Sequence, residues 1–296
     1  MTNHISERLV DALHAGADVR AGCRVNHARG ALVSGFFRPS DVAAHVCCAP
    51  IFSSGEQTVL VRFSDSGPDC NVAQDSAAAA PRGMAVKIGH PSALELIGHS
   101  IEGFPAGTAE GFLDFIEALN EQQSALDRLI AHLGSSQAAR SFVEKRSASP
   151  LAGYSCLTYH MLHPYRLVAP DGSERVGRIA ISGLSKPDVA ALSGPDCFDD
   201  DLERILSSGV ARFDVTLLIP SRSSELDDLT RSLGELLETV LLGEIVVQNL
   251  VEDQPIERSV SFHPGVLPSG MSFAGDSLIE FRLKAYALAT ARRLSY

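Results

Sequence analysis

The chain has 296 residues, with 25 basic and 36 acidic side chains and a formal charge of −11. So acidic a chain is a poor partner for a nucleic-acid backbone, and 45% apolar with 21% charged residues is the balance of a globular protein. No apolar run approaches the roughly 18 residues that mark a membrane span, and with no Trp and only 6% aromatics, platforms for stacking bases or sugars cannot be abundant.

Residues 1–19 open with MTNHISERLVDALHAG. Glu7, Arg8 and Asp11 interrupt the apolar pattern, so the segment predicts a short amphipathic helix rather than a signal peptide, which needs a basic start and an apolar run. Six cysteines at 23, 47, 48, 70, 156 and 197 form no CxxC pair. That pattern predicts free thiols, a buried Cys47–Cys48 pair and a reducing, cytoplasmic location.

Residues 23–37 (CRVNHARGALVSGFF) predict a strand bent at Gly30 and Gly35. In 58–65 (TVLVRFSD), Val59, Val61 and Phe63 share one face and Arg62 and Ser64 the other. Residues 83–88 (GMAVKI) predict its partner across the loop 66–82, where Pro81 stops an Ala-rich turn. A helix is predicted over 109–133, with Phe112, Phe115, Ile116 and Leu119 on one face, then Leu126, Leu129 and Ile130, and Gly134 as its C-cap. Residues 157–168 and 174–183 predict a hairpin turning at Asp171-Gly172. Asp199, Asp200 and Asp201 predict a solvated acidic turn, and 225–239 the exposed face of a helix. Strands are predicted over 211–219 and at the end of 237–249, and a last helix over 277–295, capped by Asp276 or Ser277. About eight strand candidates with helices between and after them predict an α+β fold around an antiparallel sheet or barrel. No repeat or linker divides the chain, which predicts a single domain over 1–296.

Arg282 and Tyr286 are four apart and share a helical face. A guanidinium beside a phenol favours the phenolate, a hard anionic ligand for ferric iron. From the helix alone, a half-buried aromatic next to a surface arginine explains the pair as well. His27 on the first strand segment, Ser64 on the next and several arginines are equally ordinary one by one. Together they could surround a planar dianionic cofactor whose carboxylates pair with guanidinium groups.

Five ordered blocks carry a resemblance to the haem catalases. Residues 24–30 (RVNHARG) resemble the segment bearing the distal histidine. Residues 61–64 (VRFS) and 81–87 (PRGMAVK) resemble the next two blocks, and 94–116 (LELIGHSIEGFPAGTAEGFLDFI) the following block and its helix. Residues 261–286 (SFHPGVLPSGMSFAGDSLIEFRLKAY) resemble the segment that ends in the proximal tyrosine. The resemblance covers residues 20–296 and implies a catalase-like antiparallel β-barrel with surrounding helices.

The resemblance further implies one bound haem b, with Tyr286 as the metal ligand, as tyrosine is in catalase. Arg282 would hold the phenolate, backed by His163 and Asp276. His27 would be the distal base, Ser64 its orienting partner, Arg24, Arg62 and Arg293 the propionate partners, and Phe104 and Phe112 the rings over the haem. Two catalytic positions depart from the family: His99 stands where catalases have asparagine, and Asn26 where they have valine. Met84 replaces a usual phenylalanine, and Ala80 a channel aspartate. The resemblance stops ten residues past Tyr286, short of the wrapping segment and helical domain of full-length catalases. It therefore implies the short catalase-related peroxidase branch.

The expected function is a haem-dependent oxidoreductase that activates peroxide to oxidise a small organic substrate, with weak or absent catalase activity. Two alternatives stay open. One is a haem-dependent isomerase, dehydratase or lyase of an activated N–O or O–O substrate; the other is a non-enzymatic haem-binding protein with His99 on the iron. The expected partners are a small molecule, with peroxide as a candidate, and further copies of the chain; nucleic acid and membrane are not expected.

Overall fold

The computed structural model describes residues 2–15, 23–91, 93–120, 125–188, 192–252 and 259–295. Its strands are β1 (Gly30–Pro39), β2 (Gln57–Ser64), β3 (Gly83–Ile88), β4 (Leu94–His99), β5 (Thr158–Val168), β6 (Glu174–Gly183), β7 (Ala211–Pro220), β8 (Leu236–Leu250) and β9 (Met271–Phe273). Its helices are α1 (Thr2–Ala15), α2 (Ala43–Val46), α3 (Ala109–Asn120), α4 (Ala125–Ser135), α5 (Gln137–Ser147), α6 (Cys197–Ser208) and α7 (Ile279–Leu294).

The strands pair antiparallel in the order β4-β3-β2-β1-β8-β7-β6-β5, and a β4–β5 pairing closes eight of them into a barrel; β9 adds beside β5. Closure leaves β1–β8 without the unpaired edge an open sheet would present. The closing contact is short, only Gly98↔Met161 and His99↔His160.

Alternation decides what faces where. In β2, Val59, Val61 and Phe63 are at most 3% exposed and join the barrel core. Phe63 stacks there on Tyr154 at 5.1 Å. The other face of β2 turns Arg62 and Ser64 outward. A second apolar cluster lies outside the barrel, where Leu9 and Val10 of α1, Leu113, Phe115 and Ile116 of α3, and Phe281 and Ala285 of α7 pack together. Burying a side chain such as Phe281 contributes ~1.5–3 kcal/mol. This cluster holds the helices off the barrel face that carries Arg62 and Ser64, and the space between becomes the site. Among the described residues no helix is long and apolar enough to cross a membrane.

Several local expectations change. The helix predicted over 109–133 is two helices, α3 and α4, and residues 121–124 between them lie outside the described set. Gly134 is inside α4, and Ser136 accepts from the Ala139 amide to cap α5. The first strand starts at Gly30, because 23–29 runs as irregular chain. Asp199 and Asp200 lie in the first turn of α6, where carboxylates favour the helix N-terminus, and Asp201 follows them in the helix. There Asp199 pairs with Arg29 at 2.7 Å, and Asp201 is 5% exposed and pairs with Arg204. Residues 225–239 are a short 3₁₀ turn, a loop and the start of β8, not a helix. Cys47 is buried but Cys48 is exposed, and all six cysteines are unpaired.

Candidate active site

A cavity of about 510 Å³ opens between the outer face of β2–β4 and the helices α1, α3, α5 and α7. That lies within the ~300–1,000 Å³ of cofactor and ligand sites. His27, Asn26, Ser64, His99, Arg24, Arg62, Arg282, Arg293, Phe104, Phe112 and Tyr286 all line it. His163 and Asp276 stand one step behind.

The barrel wall is built on one lateral row of the sheet. Registers Gly30↔Ser64, Ser64↔Gly83, Gly83↔His99 and His99↔His160 place five residues side by side across β1–β5. Gly83 has a steric reason to be glycine: a Cβ there would sit 2.5 Å from Ser64 Oγ and 2.8 Å from His27 Nδ1. That gap lets the His27 ring lie against the sheet, with Nδ1 3.1 Å from Ser64 Oγ. His27 has φ of +52°, which a non-glycine residue adopts only when held there. The hold comes from two sides. Asn26 Oδ1 accepts from the His27 and Gly67 amides at 3.0 and 2.9 Å, and Arg62 donates to the His27 and Ala28 carbonyls at 2.9 and 3.0 Å. Asn26 Oδ1 thus bonds the main chain rather than the imidazole. Burial, with the Arg62 and Arg282 charges, pushes the His27 imidazole down to about 4, so it is neutral near pH 7.

His99 differs. Both of its ring nitrogens are buried without a hydrogen-bond partner. Burial, then the His27 and Arg282 charges, push it down to about 3, and the Ile101 backbone offsets little of that. Its ring meets Phe142 edge-on at 5.9 Å. Behind it a void of about 10 Å³ is lined by Glu102, His160 and Arg178 among others. Arg178 Nε there is also without a partner.

The α7 wall is complete by contrast. Arg282 Nη2 donates to Tyr286 Oη at 3.3 Å, and Arg282 Nη1 donates to His163 Nε2 at 2.8 Å. A guanidinium has only donors, so His163 Nε2 must accept and Nδ1 must carry the proton. That proton faces Asp276 Oδ2 at 2.6 Å. The pKa directions agree with this tautomer. Burial drives His163 down to about 4 despite Asp276. Burial works against the Asp276 carboxylate, yet bonds from His163 and the Leu278 and Ile279 amides hold it below its usual range. Asp276 Oδ1 accepts from the Leu278 amide just ahead of α7, while Ser277 Oγ donates to the Gly107 carbonyl instead of capping the helix. His163 lies where β5 carries two extra residues against β6, between His160↔Ala180 and Pro164↔Arg178. A bulge of this kind re-aims side chains.

Arg24 and Arg293 both donate to the Val260 carbonyl at 2.9 Å. The rings of Phe104 and Phe112 lie 4.6 Å apart. Sequence reading placed none of Arg146 and Phe142 of α5 and His160 of β5 in the site. His160 instead lines the cavity as the cross-strand partner of His99. Phe142 and Arg146 share a helical face by their i, i+4 spacing, the one signal that could have placed them.

No protein-family model matches the chain. A catalase-related peroxidase of Mycolicibacterium paratuberculosis is 27% identical over 97% of the chain and 94% of that protein. A catalase-related peroxidase of Synechococcus elongatus is 22% identical over 97% of the chain and 88% of that protein. The crystal structure of a fungal catalase superposes with a TM-score of 0.79 at 20% identity, over 93% of the chain. The chain is similar to catalases and catalase-related peroxidases, and its fold is that of the fungal catalase. It spans 94% and 88% of the two peroxidases and 60% of the fungal catalase. The catalase-like barrel expected from the sequence is the barrel observed.

Proposed function

We propose that this enzyme, of the catalase-related peroxidase type, holds haem b in its 510 Å³ cavity and uses peroxide to oxidise a small organic molecule. The donor set fits that group. A phenol suits ferric iron, guanidinium groups at 24, 62 and 293 suit propionates, and Phe104 and Phe112 suit a macrocycle face. The observation that carries the reading is the unbroken chain Asp276–His163–Arg282–Tyr286, which delivers a fixed phenol oxygen to the cavity.

Each residue then has a task. Tyr286 would be the iron ligand, and Arg282, oriented by His163 and Asp276, holds its oxygen. Arg62 and Asn26 fix the backbone of His27. With Nδ1 against Ser64, the other ring nitrogen of His27 is the one that takes a proton from the peroxide oxygen and returns it to the oxygen leaving as water. Because His27 is neutral down to about pH 4, it is ready as a base at neutral pH. A bound haem would supply the two electrons that O–O cleavage needs, and the organic substrate, oxidised in turn, would restore them.

A second reading rests on His99. Two neutral imidazoles, His27 and His99, line one cavity where a base and an unpaired ring nitrogen could rearrange or dehydrate an N–O or O–O substrate without net oxidation. We further read the chain as one cytoplasmic domain with oligomer formation open.

The test is haem-reconstituted protein given hydrogen peroxide and a neutral phenol such as guaiacol. Peroxide-dependent phenol oxidation that is lost in His27→Ala supports the peroxidase. Conversion of an organic hydroperoxide to an isomer, with no reductant consumed, supports the second reading.

A further inference from the structure

We propose that the organic substrate carries a carboxylate and that Arg146 receives it. This rests on the haem reading above and adds the substrate's charge class.

The cavity lining is one-sided in charge. Among the described residues it includes Arg24, Arg62, Arg146, Arg282 and Arg293, and no Asp, Glu or Lys. On a chain with net charge −11 that is a local inversion. Two propionates, the Tyr286 phenolate and the Asp276 carboxylate behind His163 would answer four of the five guanidinium groups. The fifth remains. Arg146 takes no part in the Tyr286 chain, in the cluster at Val260 or in the Arg62 clamp on the His27 backbone. Among the described residues it is also in no ion pair.

Its hydrogen bonds define what is left to bind. Nε donates to the Ala80 carbonyl at 2.7 Å and Nη2 to the Ala78 carbonyl at 2.9 Å, while Nη1 bonds no described residue. The two carbonyls fix the guanidinium plane but bring no negative charge. Burial accordingly lowers its pKa, the direction of a desolvated cation lacking a counter-ion. An unpaired, half-buried guanidinium with a free N–H edge in a cavity is a carboxylate receptor.

Position sets the substrate's form. Phe142 lies one turn before Arg146 on α5 and packs on His99. One turn is a rise of ~6 Å. The walls between are apolar, with Phe115, Ile116 and Leu119 of α3. A short apolar body with a carboxylate at one end would place that end at Arg146 and its other end beside His99 and His27. A small aryl or alkyl carboxylic acid has this shape.

The experiment uses haem-loaded protein and calorimetric titration with benzoate and with benzamide, its neutral isostere. Wild type should bind benzoate about tenfold or more tighter, the factor of a charged hydrogen bond. Arg146→Gln should erase the preference, and Arg146→Lys should keep most of it, which separates lost charge from a damaged helix. A matching readout is the KM ratio of 4-hydroxyphenylacetate to its methyl ester in the peroxide assay, which should move toward one in Arg146→Gln. Equal binding of benzoate and benzamide by wild type would overturn the proposal. So would a preference that survives in Arg146→Gln, which would assign the anion to the other arginines. Failure to load haem at all would instead remove the functional reading beneath it.

Discussion

The two walls of the cavity are built to different standards of completeness. On the α7 side, Asp276, His163, Arg282 and Tyr286 form a chain in which each donor meets an acceptor. On the barrel side, His27 is clamped through its backbone and by Ser64, but His99 two strands away from Ser64 keeps both ring nitrogens unpaired. A buried polar group left without a partner costs ~1–3 kcal/mol, so the fold carries that cost where a ligand can recover it. The contrast teaches that the α7 wall is set before anything binds, while the barrel wall is finished by what binds. The two catalytic positions that depart from the catalase pattern, Asn26 and His99, both lie on the unfinished side.

The largest expected effect is on the finished wall. Tyr286→Phe should weaken haem affinity by more than about 100-fold, beyond the ~10–100-fold typical of losing an outer partner; titration of apoprotein with haemin measures it. Next, His27→Ala should keep haem and slow the peroxide reaction ~10²–10⁴-fold, read by stopped-flow absorption. Unchanged rates would remove His27 from the chemistry.

Stability separates the walls more sharply. His163→Leu takes the partner from Asp276 Oδ2 and from Arg282 Nη1 and should cost ~3–5 kcal/mol. His99→Leu removes no hydrogen bond and should cost under ~1.5 kcal/mol or stabilise the apoprotein. Urea denaturation of the two variants compares them directly, and equal losses would erase the difference between the walls. His99→Asn, restoring the catalase residue, should raise oxygen evolution from hydrogen peroxide. No change would place the His99 ring outside the peroxide's reach.

The smallest effect is on pH. His27, His99 and His163 are all depressed below the ordinary value near 6.5, to about 4, 3 and 4. Between those values and 6.5 the unfolded chain binds more protons, so stability is full above pH 6.5 and falls as acid approaches pH 4. The peroxide reaction should stay flat from pH 7 to about 5 and drop toward pH 4, as His27 becomes charged. A midpoint near 6.5 would mean that His27 is not desolvated.

Much of this was legible in the sequence where a local period carried it. Val59, Val61 and Phe63 alternate inward, and β2, β3, β5, β6, β7 and β8 lie close to where alternation placed them. β4 escaped because LELIGH is six residues whose apolar run shows no clear alternation. α5 escaped because QAARSFVEKRS has a narrow apolar face, although that face delivers Phe142 and Arg146. The acidic triad read as a turn because local charge hides that Arg29, 170 residues away, pairs with Asp199. In the site, Arg282 and Tyr286 were readable from helical spacing. The joining of His163 to Asp276 is 113 residues long-range and came only through family resemblance. His160 was unreadable for the same reason, since its place beside His99 exists only once β4 and β5 close the barrel.

The proposal that Tyr286 would hold the haem iron is tested most directly by absorption and resonance Raman spectra of the ferric, haem-loaded protein. A five-coordinate, high-spin haem with tyrosinate vibrations that vanish in Tyr286→Phe is the expected result. A six-coordinate, low-spin spectrum with two nitrogen ligands would contradict it, putting His99 or His27 on the iron and the finished α7 wall to some other use.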